Sequence, residues 1–242
     1  MDVSAFELPL LLSGACVAGI ISSICGFGGG ILYLPIVVAI VGPRTAVPLI
    51  TLGLIFSNLS RVLLLFKHVK WPLTFKYCLG AMPGAILGAL IFVRLPTGLL
   101  TRSIGVFLIA SVFLRRFEQM QVRPSQHWIF IPLGAIVGFF SAIWGAIGPA
   151  AVPFFLATGL TKEAFVATIA FGAFAMHIAK TLSYGGLGLL HQSMLPLGAA
   201  IAVLMIFGTW IGHRILKRTT PRVFLRLVDG LLIVLGLFFL LK

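Results

Sequence analysis

Two glycine-rich breaks in apolar segments contain the residues whose types and spacing favour a ligand-binding site. The first break reads GFGGG, at residues 26–30, within an apolar segment from about 8 to 41. The second reads GAIGP, at residues 145–149, within an apolar segment from 128 to 157. Each glycine costs about 1 kcal/mol relative to alanine inside a helix, so both clusters predict unwound backbone. The candidate binding residues in the two breaks are Gly26, Gly28, Gly29, Gly30, Gly145, Gly148 and Pro149.

Anion binding is the chemistry that such breaks favour. New helices are predicted to begin at Gly30 and at Pro149, because proline suits the first turn of a helix. The start of a helix presents free backbone N–H groups and the positive end of the helix dipole, and both favour an anion. The alternative is that the glycines only permit close packing of helices. Two similar clusters in matching places favour the binding site.

Serine hydroxyls lie just before each break. Ser22 and Ser23 precede the first break, and Ser141 precedes the second. These hydroxyls can donate hydrogen bonds to a bound oxyanion, whereas a serine in an apolar helix usually bonds the carbonyl four residues before it. The sequence leaves both interpretations open.

Two pairs of polar residues recur at the offset of 119 residues that also relates the breaks. Arg61 corresponds to Lys180, and Asn58 corresponds to His177. Each cation is predicted to lie within one or two turns of the end of a span. It can therefore reach the lipid headgroups or stand at the mouth of an anion path. His177 can be a hydrogen-bonded structural residue or, because histidine titrates near neutral pH, a proton carrier.

The composition indicates a polytopic membrane protein whose main partner is the lipid bilayer. Of 242 residues, 60% are hydrophobic and 10% are charged, and the mean hydropathy is +1.16. The 18 basic residues outnumber the 5 acidic ones, but they lie in short loops between apolar spans. They therefore signal membrane orientation and exclude a nucleic-acid-binding face. The three cysteines have no metal-ligand spacing, so neither a metal site nor another cofactor is predicted.

The apolar segments divide the chain into two similar halves. Residues 1–114 form the predicted N-terminal membrane repeat, 115–127 a polar linker, and 128–242 the C-terminal membrane repeat. A bilayer core needs about 20 apolar helical residues. The first half then has three spans after its broken segment, and so does the second. These spans are 45–66, 72–93, 98–114, 162–184, 194–213 and 221–241.

The positive-inside rule predicts how the halves are oriented. The basic loops 67–76, 115–123 and 213–226 all become cytoplasmic if each broken segment enters and leaves on the same side. The predicted fold is therefore an all-α polytopic membrane protein with two inverted repeats. Each repeat is a broken re-entrant helix pair plus three transmembrane helices. Both chain termini are then outside, and the linker is cytoplasmic.

Catalytic groups are scarce, which argues against a membrane enzyme. The acids are few and give no juxtaposed pair within the membrane, and no HExxH, GxSxG or phosphate loop is present. Asp229 is the one acid in a predicted span, and it either pairs with Arg226 or carries a proton. Inverted repeats with broken helices are typical of secondary transporters, so an integral membrane enzyme is kept only as an alternative of another class.

The motifs GFGGGILYLP, at 26–35, and GAIGPAAVP, at 145–153, resemble those of the TauE/SafE family of sulfite exporter-like permeases. The resemblance covers nearly the whole chain. It implies a multi-pass carrier in a prokaryotic plasma membrane for sulfite, sulfonates or related organosulfur anions, typically an exporter. The second break has Gly148-Pro149 where the first has a glycine triplet, so a fully symmetric site does not follow. Transport of another small solute or ion is the alternative, and the sequence gives no oligomeric state.

Overall fold

The protein is described by a computed structural model at residue 4, residues 6–25, 28–114 and 124–216, and six positions between 233 and 241. These residues form an all-helical structure, which confirms the prediction of an all-α protein. Nine α-helices have described bounds: α1 (Glu7–Cys25), α2 (Gly29–Val41), α3 (Pro43–Leu65), α4 (Trp71–Arg94), α5 (Thr97–Leu114), α6 (Phe130–Trp144), α7 (Gly148–Leu156), α8 (Lys162–Gly186) and α9 (Leu195–Leu216).

Within the described ranges, six helices are long and apolar enough to cross a membrane. They are α1, α3, α4, α6, α8 and α9, and the span of α6 extends back to His127. The apolar stretch of helix α5, Thr97–Ala110, is shorter than any of these six spans. The predicted span 221–241, the loop 115–123, Asp229 and both chain termini lie wholly or mostly outside the described residues.

Both breaks occur where the glycine clusters predict them. Helix α1 ends at Cys25 and α2 begins at Gly29, after Gly28 with a φ of 93°. Helix α6 ends at Trp144 and is followed by Gly145, with a φ of 80°. A positive φ is strained for residues with a Cβ, so these two glycines allow the chain to turn. The helices resume at Gly29 and Gly148, one residue before the predicted starts.

The two arms of each broken segment are unequal, whereas the sequence predicted two half-helices. The first arms, α1 and α6, have 19 and 15 residues, and the second arms, α2 and α7, have 13 and 9. At a rise of about 1.5 Å per residue, α1 is roughly 28 Å long, close to the thickness of a bilayer core. In the first half, the arm before the break is therefore long enough to cross the membrane, because more apolar residues precede the glycines than follow them.

Helices α1 and α2 form an antiparallel hairpin. The Tyr33 hydroxyl donates to the Leu11 carbonyl at 2.9 Å, and Gly14 lies against the same tyrosine ring. Nearer the break, Gly29 lies directly against the Ala18 carbonyl, where a Cβ would collide. Residues later in α1 thus contact residues earlier in α2, as expected for antiparallel helices. The chain returns toward the side from which α1 began.

Small residues join the long helices across the two halves. Added methyl groups on α4 glycines would collide with carbonyls of α6, and those on α9 glycines with carbonyls of α1. Glycine stripes of this kind let helix backbones approach closely within a membrane. Because the contacts advance together along both helices, each pair runs parallel. The contacts are Gly80 with Ile131, Gly84 with Ala135, Gly88 with Phe139, Gly208 with Cys16 and Gly212 with Ile20.

The loop between α3 and α4 and the turn before α6 lie at the same end of the bundle. Helices α4 and α6 run parallel from Trp71 and Phe130, and the Lys76 ammonium lies 4.8 Å from the centre of the Trp128 ring. The segment Gln192–Met194 lies at the opposite end, after α8 has crossed the bundle. We therefore expect residues 124–129 to be cytoplasmic under the positive-inside rule.

Cysteine accessibility tests this orientation. In a variant whose three natural cysteines are serines, Ser125→Cys should react with an impermeant thiol reagent only after the membrane is opened. Ser193→Cys, from the opposite end, is the matched control and should react in intact cells. Labelling of the first variant, and not the second, in intact cells would contradict the assignment.

Candidate functional site

A cavity lies where the two glycine breaks meet. Its empty volume is about 590 Å³, including its opening to solvent. The start of α2 and the segment before α7 both contribute to its wall. Eight of the predicted site residues line it together: Ser22, Gly28, Gly30, Asn58, Arg61, Ser141, Gly148 and His177.

Of the other predicted site residues, Ser23, Gly29, Gly145 and Lys180 are described, and none of these four is part of the wall. Ser23 is buried beside α9, where its Cβ lies 2.8 Å from the Cβ position of Gly212. Gly29 packs against the Ala18 carbonyl of α1. Pro149 occupies the first turn of α7 by its backbone, and its side chain, like the whole of Gly26, lies outside the described residues. Gly145 and Lys180 contact each other next to the cavity.

Arg61 is buried within the bundle, with 3% of its surface exposed. Its guanidinium donates to the Ser22 carbonyl at 3.1 Å and to the Asn58 side-chain oxygen at 2.6 Å. A third, longer bond joins it to the Ser57 carbonyl at 3.4 Å. Arg61 therefore connects α3 to the end of α1 while it also lines the cavity.

Lys180 is fully buried and makes the equivalent connection in the second half. Its ammonium donates to the Ser141 carbonyl at 2.9 Å, the Gly145 carbonyl at 2.8 Å and the Ser141 hydroxyl at 3.3 Å. These three bonds match the three protons of an ammonium group. Lys180 thus stabilises the carboxyl end of α6, where helix carbonyls lack partners and carry partial negative charge.

The interpretation that Arg61 and Lys180 reach toward the lipid headgroups is therefore wrong. Both side chains turn inward, because each donates to a carbonyl in the last turn of a broken helix. The interpretation of Lys180 as a residue at the mouth of an anion path is also not supported, because its three bonds hold it beneath the wall.

Asn58 and His177 correspond in the repeat but differ in their environments. The Asn58 amide nitrogen donates to the Leu54 carbonyl at 2.7 Å, and its oxygen accepts from Arg61. His177 is 3% exposed, and its Nδ1 has no hydrogen-bond partner among the described residues. An unpaired buried polar atom costs about 1–3 kcal/mol unless something satisfies it. The His177 ring is therefore the side chain of this pair that is available to a ligand.

Among the described hydrogen bonds, the Ser141 hydroxyl does not bond the carbonyl four residues before it. Its hydroxyl donates forward to the Gly145 carbonyl at 3.5 Å and accepts from Lys180. This direction arises because the helix ends there, which leaves the Gly145 carbonyl exposed to the hydroxyl. Ser141 thereby contributes to the stability of the break as well as to the cavity wall.

The cavity favours a negatively charged ligand. Arg61 is its charged wall residue, and no Asp or Glu belongs to the wall as far as the chain is described. The first intrahelical bond of α2 joins Leu32 N–H to the Gly28 carbonyl at 3.2 Å, so the preceding N–H groups have no acceptor in the helix. Both second arms begin at the cavity, at Gly29 and Gly148, with the positive ends of their dipoles nearest to it.

Sequence reasoning missed the aromatic part of the wall. Tyr77 of α4 and Phe155 of α7 line the cavity, with ring centres 5.4 Å apart in an edge-to-face arrangement. Met176 of α8 lies there as well. The repeat could have identified Tyr77. The offset that relates Pro72 to Pro196 also aligns Tyr77 with Ile201, so a phenol in one half corresponds to an aliphatic side chain in the other.

Comparison with known proteins agrees with this structure. The family model described as sulfite exporter TauE/SafE matches residues 11–239 of the 242. A protein of Methanocaldococcus jannaschii named as a probable membrane transporter is 24% identical over 258 aligned positions, covering 97% of this chain and 96% of that protein. No solved structure matches at a significant level. The chain is a multi-pass cell-membrane protein that belongs to the sulfite exporter TauE/SafE family of membrane transporters.

Proposed function

We propose that this protein is a secondary transporter that binds sulfite or an organosulfonate in the cavity between the two breaks and exports it. The observation that carries the proposal is the charge of this cavity. Two helix starts and the buried Arg61 guanidinium converge on it, and its described wall has no carboxylate that could bind a cation. Such a site satisfies the several oxygens of a small oxyanion through N–H donors.

Inverted repeats are part of this proposal, because they allow a central site to open to either side in turn. Two features support them. Helix α1 packs parallel to α9, and α4 packs parallel to α6. In the repeat, α1 corresponds to α6 and α4 corresponds to α9. The repeat therefore relates the pair α1–α9 to the pair α6–α4. Arg61 and Lys180 also bond carbonyls at the same sequence distance, 39 residues, within their own halves.

The sulfur chemistry and the direction of transport rest on the family, whose description names sulfite export. The cavity accounts for the preference for an anion. Export follows where the substrate is produced inside the cell, since a gradient sets the direction of a secondary transporter. A small anion of another element is the alternative substrate.

Flux into liposomes tests the substrate class. Purified protein should carry sulfite or a sulfonate such as methanesulfonate at least tenfold faster than sodium or a neutral sugar, with sulfate as a further anion for comparison. Protein-free liposomes give the background. Preferential movement of sodium or sugar would overturn the proposal, and chemical turnover of these solutes by the protein in detergent would favour a membrane enzyme.

A further inference from the structure

The cavity is asymmetric at one pair of equivalent positions, Tyr77 and Ile201. A Cβ on Gly172 would lie 2.7 Å from Tyr77 Cδ1, and a Cβ on Gly53 would lie 2.7 Å from Ile201 Cγ2. Since Gly53 and Gly172 correspond in the repeat, Tyr77 and Ile201 occupy corresponding places beside them. Tyr77 lines the cavity, whereas Ile201 is not part of its described wall. The phenol is therefore a feature of one side only.

A second asymmetry of the cavity lies at the equivalent positions Asn58 and His177. His177 follows Gly172 on α8, so the helix that packs against Tyr77 also supplies the imidazole ring. Its Nδ1 is buried without a partner among the described residues, while the amide of its counterpart, Asn58, is engaged by Leu54 and Arg61. The two polar groups that the repeat does not duplicate thus both line the cavity, Tyr77 from α4 and His177 from α8.

Arg61 and the two helix starts supply positive charge, which attracts any small anion alike. Discrimination between anions requires polar groups that form hydrogen bonds with one anion and stay unpaired when a different anion is bound. A phenol hydroxyl and an imidazole nitrogen are groups of this kind, because each has directional hydrogen-bonding capacity. Lys180 does not add to this set, since its donors are already bonded to Ser141 and Gly145.

We propose that Tyr77 and His177 determine the anion specificity of the transporter by contacting the bound oxyanion directly. This inference rests on the proposed function. It predicts that the two side chains act on substrate affinity and choice, and that their removal leaves the helix packing in place.

Two conservative variants test the proposal with sulfite as the probe. Tyr77→Phe removes one hydroxyl, and His177→Asn places the counterpart's residue type at this position. In liposomes, each variant should raise the KM for sulfite about 5- to 20-fold, with a maximal rate within about twofold of wild type. Each should also reduce the preference for sulfite over sulfate and methanesulfonate in competition, because bonds that distinguish these anions are lost.

Tyr33→Phe is the matched control. It makes the same chemical change at a hydroxyl that bonds the Leu11 carbonyl within the α1–α2 hairpin, so the KM for sulfite should stay unchanged. Thermal stabilisation of the detergent-purified proteins by sulfite gives a readout independent of flux, and it should shrink for the two cavity variants alone.

The outcomes separate this inference from the proposed function. Unchanged KM values and unchanged anion preference in both folded variants of an active transporter would overturn the specificity role of Tyr77 and His177. A wild-type protein that moves sodium or sugar, and none of the anions, would overturn the proposed function itself and this inference with it.

Discussion

Replacing Arg61 by glutamine is expected to lower sulfite flux about 100-fold or more. A partly exposed cation would contribute only about 1 kcal/mol, because solvent screens it. Arg61 is instead buried against the end of α1, where it bonds Ser22 and Asn58 and lines the cavity. In the proposed complex Arg61 pairs with the buried oxyanion, and removing one partner of a buried ion pair typically costs about 3–5 kcal/mol, which corresponds to at least two powers of ten in affinity.

The measurement is sulfite uptake into liposomes by equal amounts of folded protein, checked by gel filtration. Arg61→Lys keeps the charge but loses the branched donor, so it should retain more flux than glutamine. Lys180→Gln should lower the melting temperature, because a shorter, neutral amide with two N–H donors replaces the charged group that bonds three buried acceptors. The KM of the folded fraction should change less than for Arg61→Gln. Near-normal sulfite affinity in Arg61→Gln would show that the anion binds elsewhere.

Replacing Gly30 by leucine is expected to abolish transport. A Cβ at this position would lie 2.7 Å from the Ala146 Cβ and 3.1 Å from Leu54 Cδ1, so Gly30 is where the two breaks touch. A leucine would force them apart and fill the cavity with apolar atoms. Overpacking of this kind costs about 1–3 kcal/mol in a well-packed interior.

The expected result is loss of sulfite flux with protein that still inserts and purifies. Gly30→Ala should be intermediate, since a single methyl needs only a small shift of Ala146. Gly98→Leu is the matched control, because a Cβ at Gly98 meets no atom within 4 Å, and flux should be retained. Normal flux in Gly30→Leu would place the transport path away from the breaks.

The adjacent Gly29 would give a less informative variant. A Cβ there would collide with the Ala18 carbonyl and lie 2.9 Å from the Ser22 Cβ, so substitution disrupts the α1–α2 hairpin before it alters the cavity. The two neighbouring glycines therefore have different functions. Gly29 permits close helix packing, which is the role that the alternative interpretation gave to all the glycines of the breaks. Gly30 borders the cavity.

Local physical chemistry made the fold class and the position of the breaks predictable from sequence. Apolar segments of span length specify membrane helices, and dense glycine clusters such as GFGGG disfavour a continuous helix. The offset that relates Gly26 to Gly145 also relates Arg61 to Lys180, so the amino-acid sequence alone identifies the cation pair. The fold class and the breaks depend on residues that are neighbours in the chain and on the thickness of the bilayer, so both can be read from the sequence.

The direction in which each side chain turns was decided by the tertiary structure alone. Arg61 and Lys180 are near enough to span ends to reach the headgroups, and only the packing of α3 and α8 beside the broken helices offers them carbonyls instead. Asn58 and His177 look equivalent in the repeat, but only one is satisfied by its neighbours. Tyr77 became a wall residue because α4 packs on α8. Such contacts join residues far apart in the chain, and no local pattern encodes them.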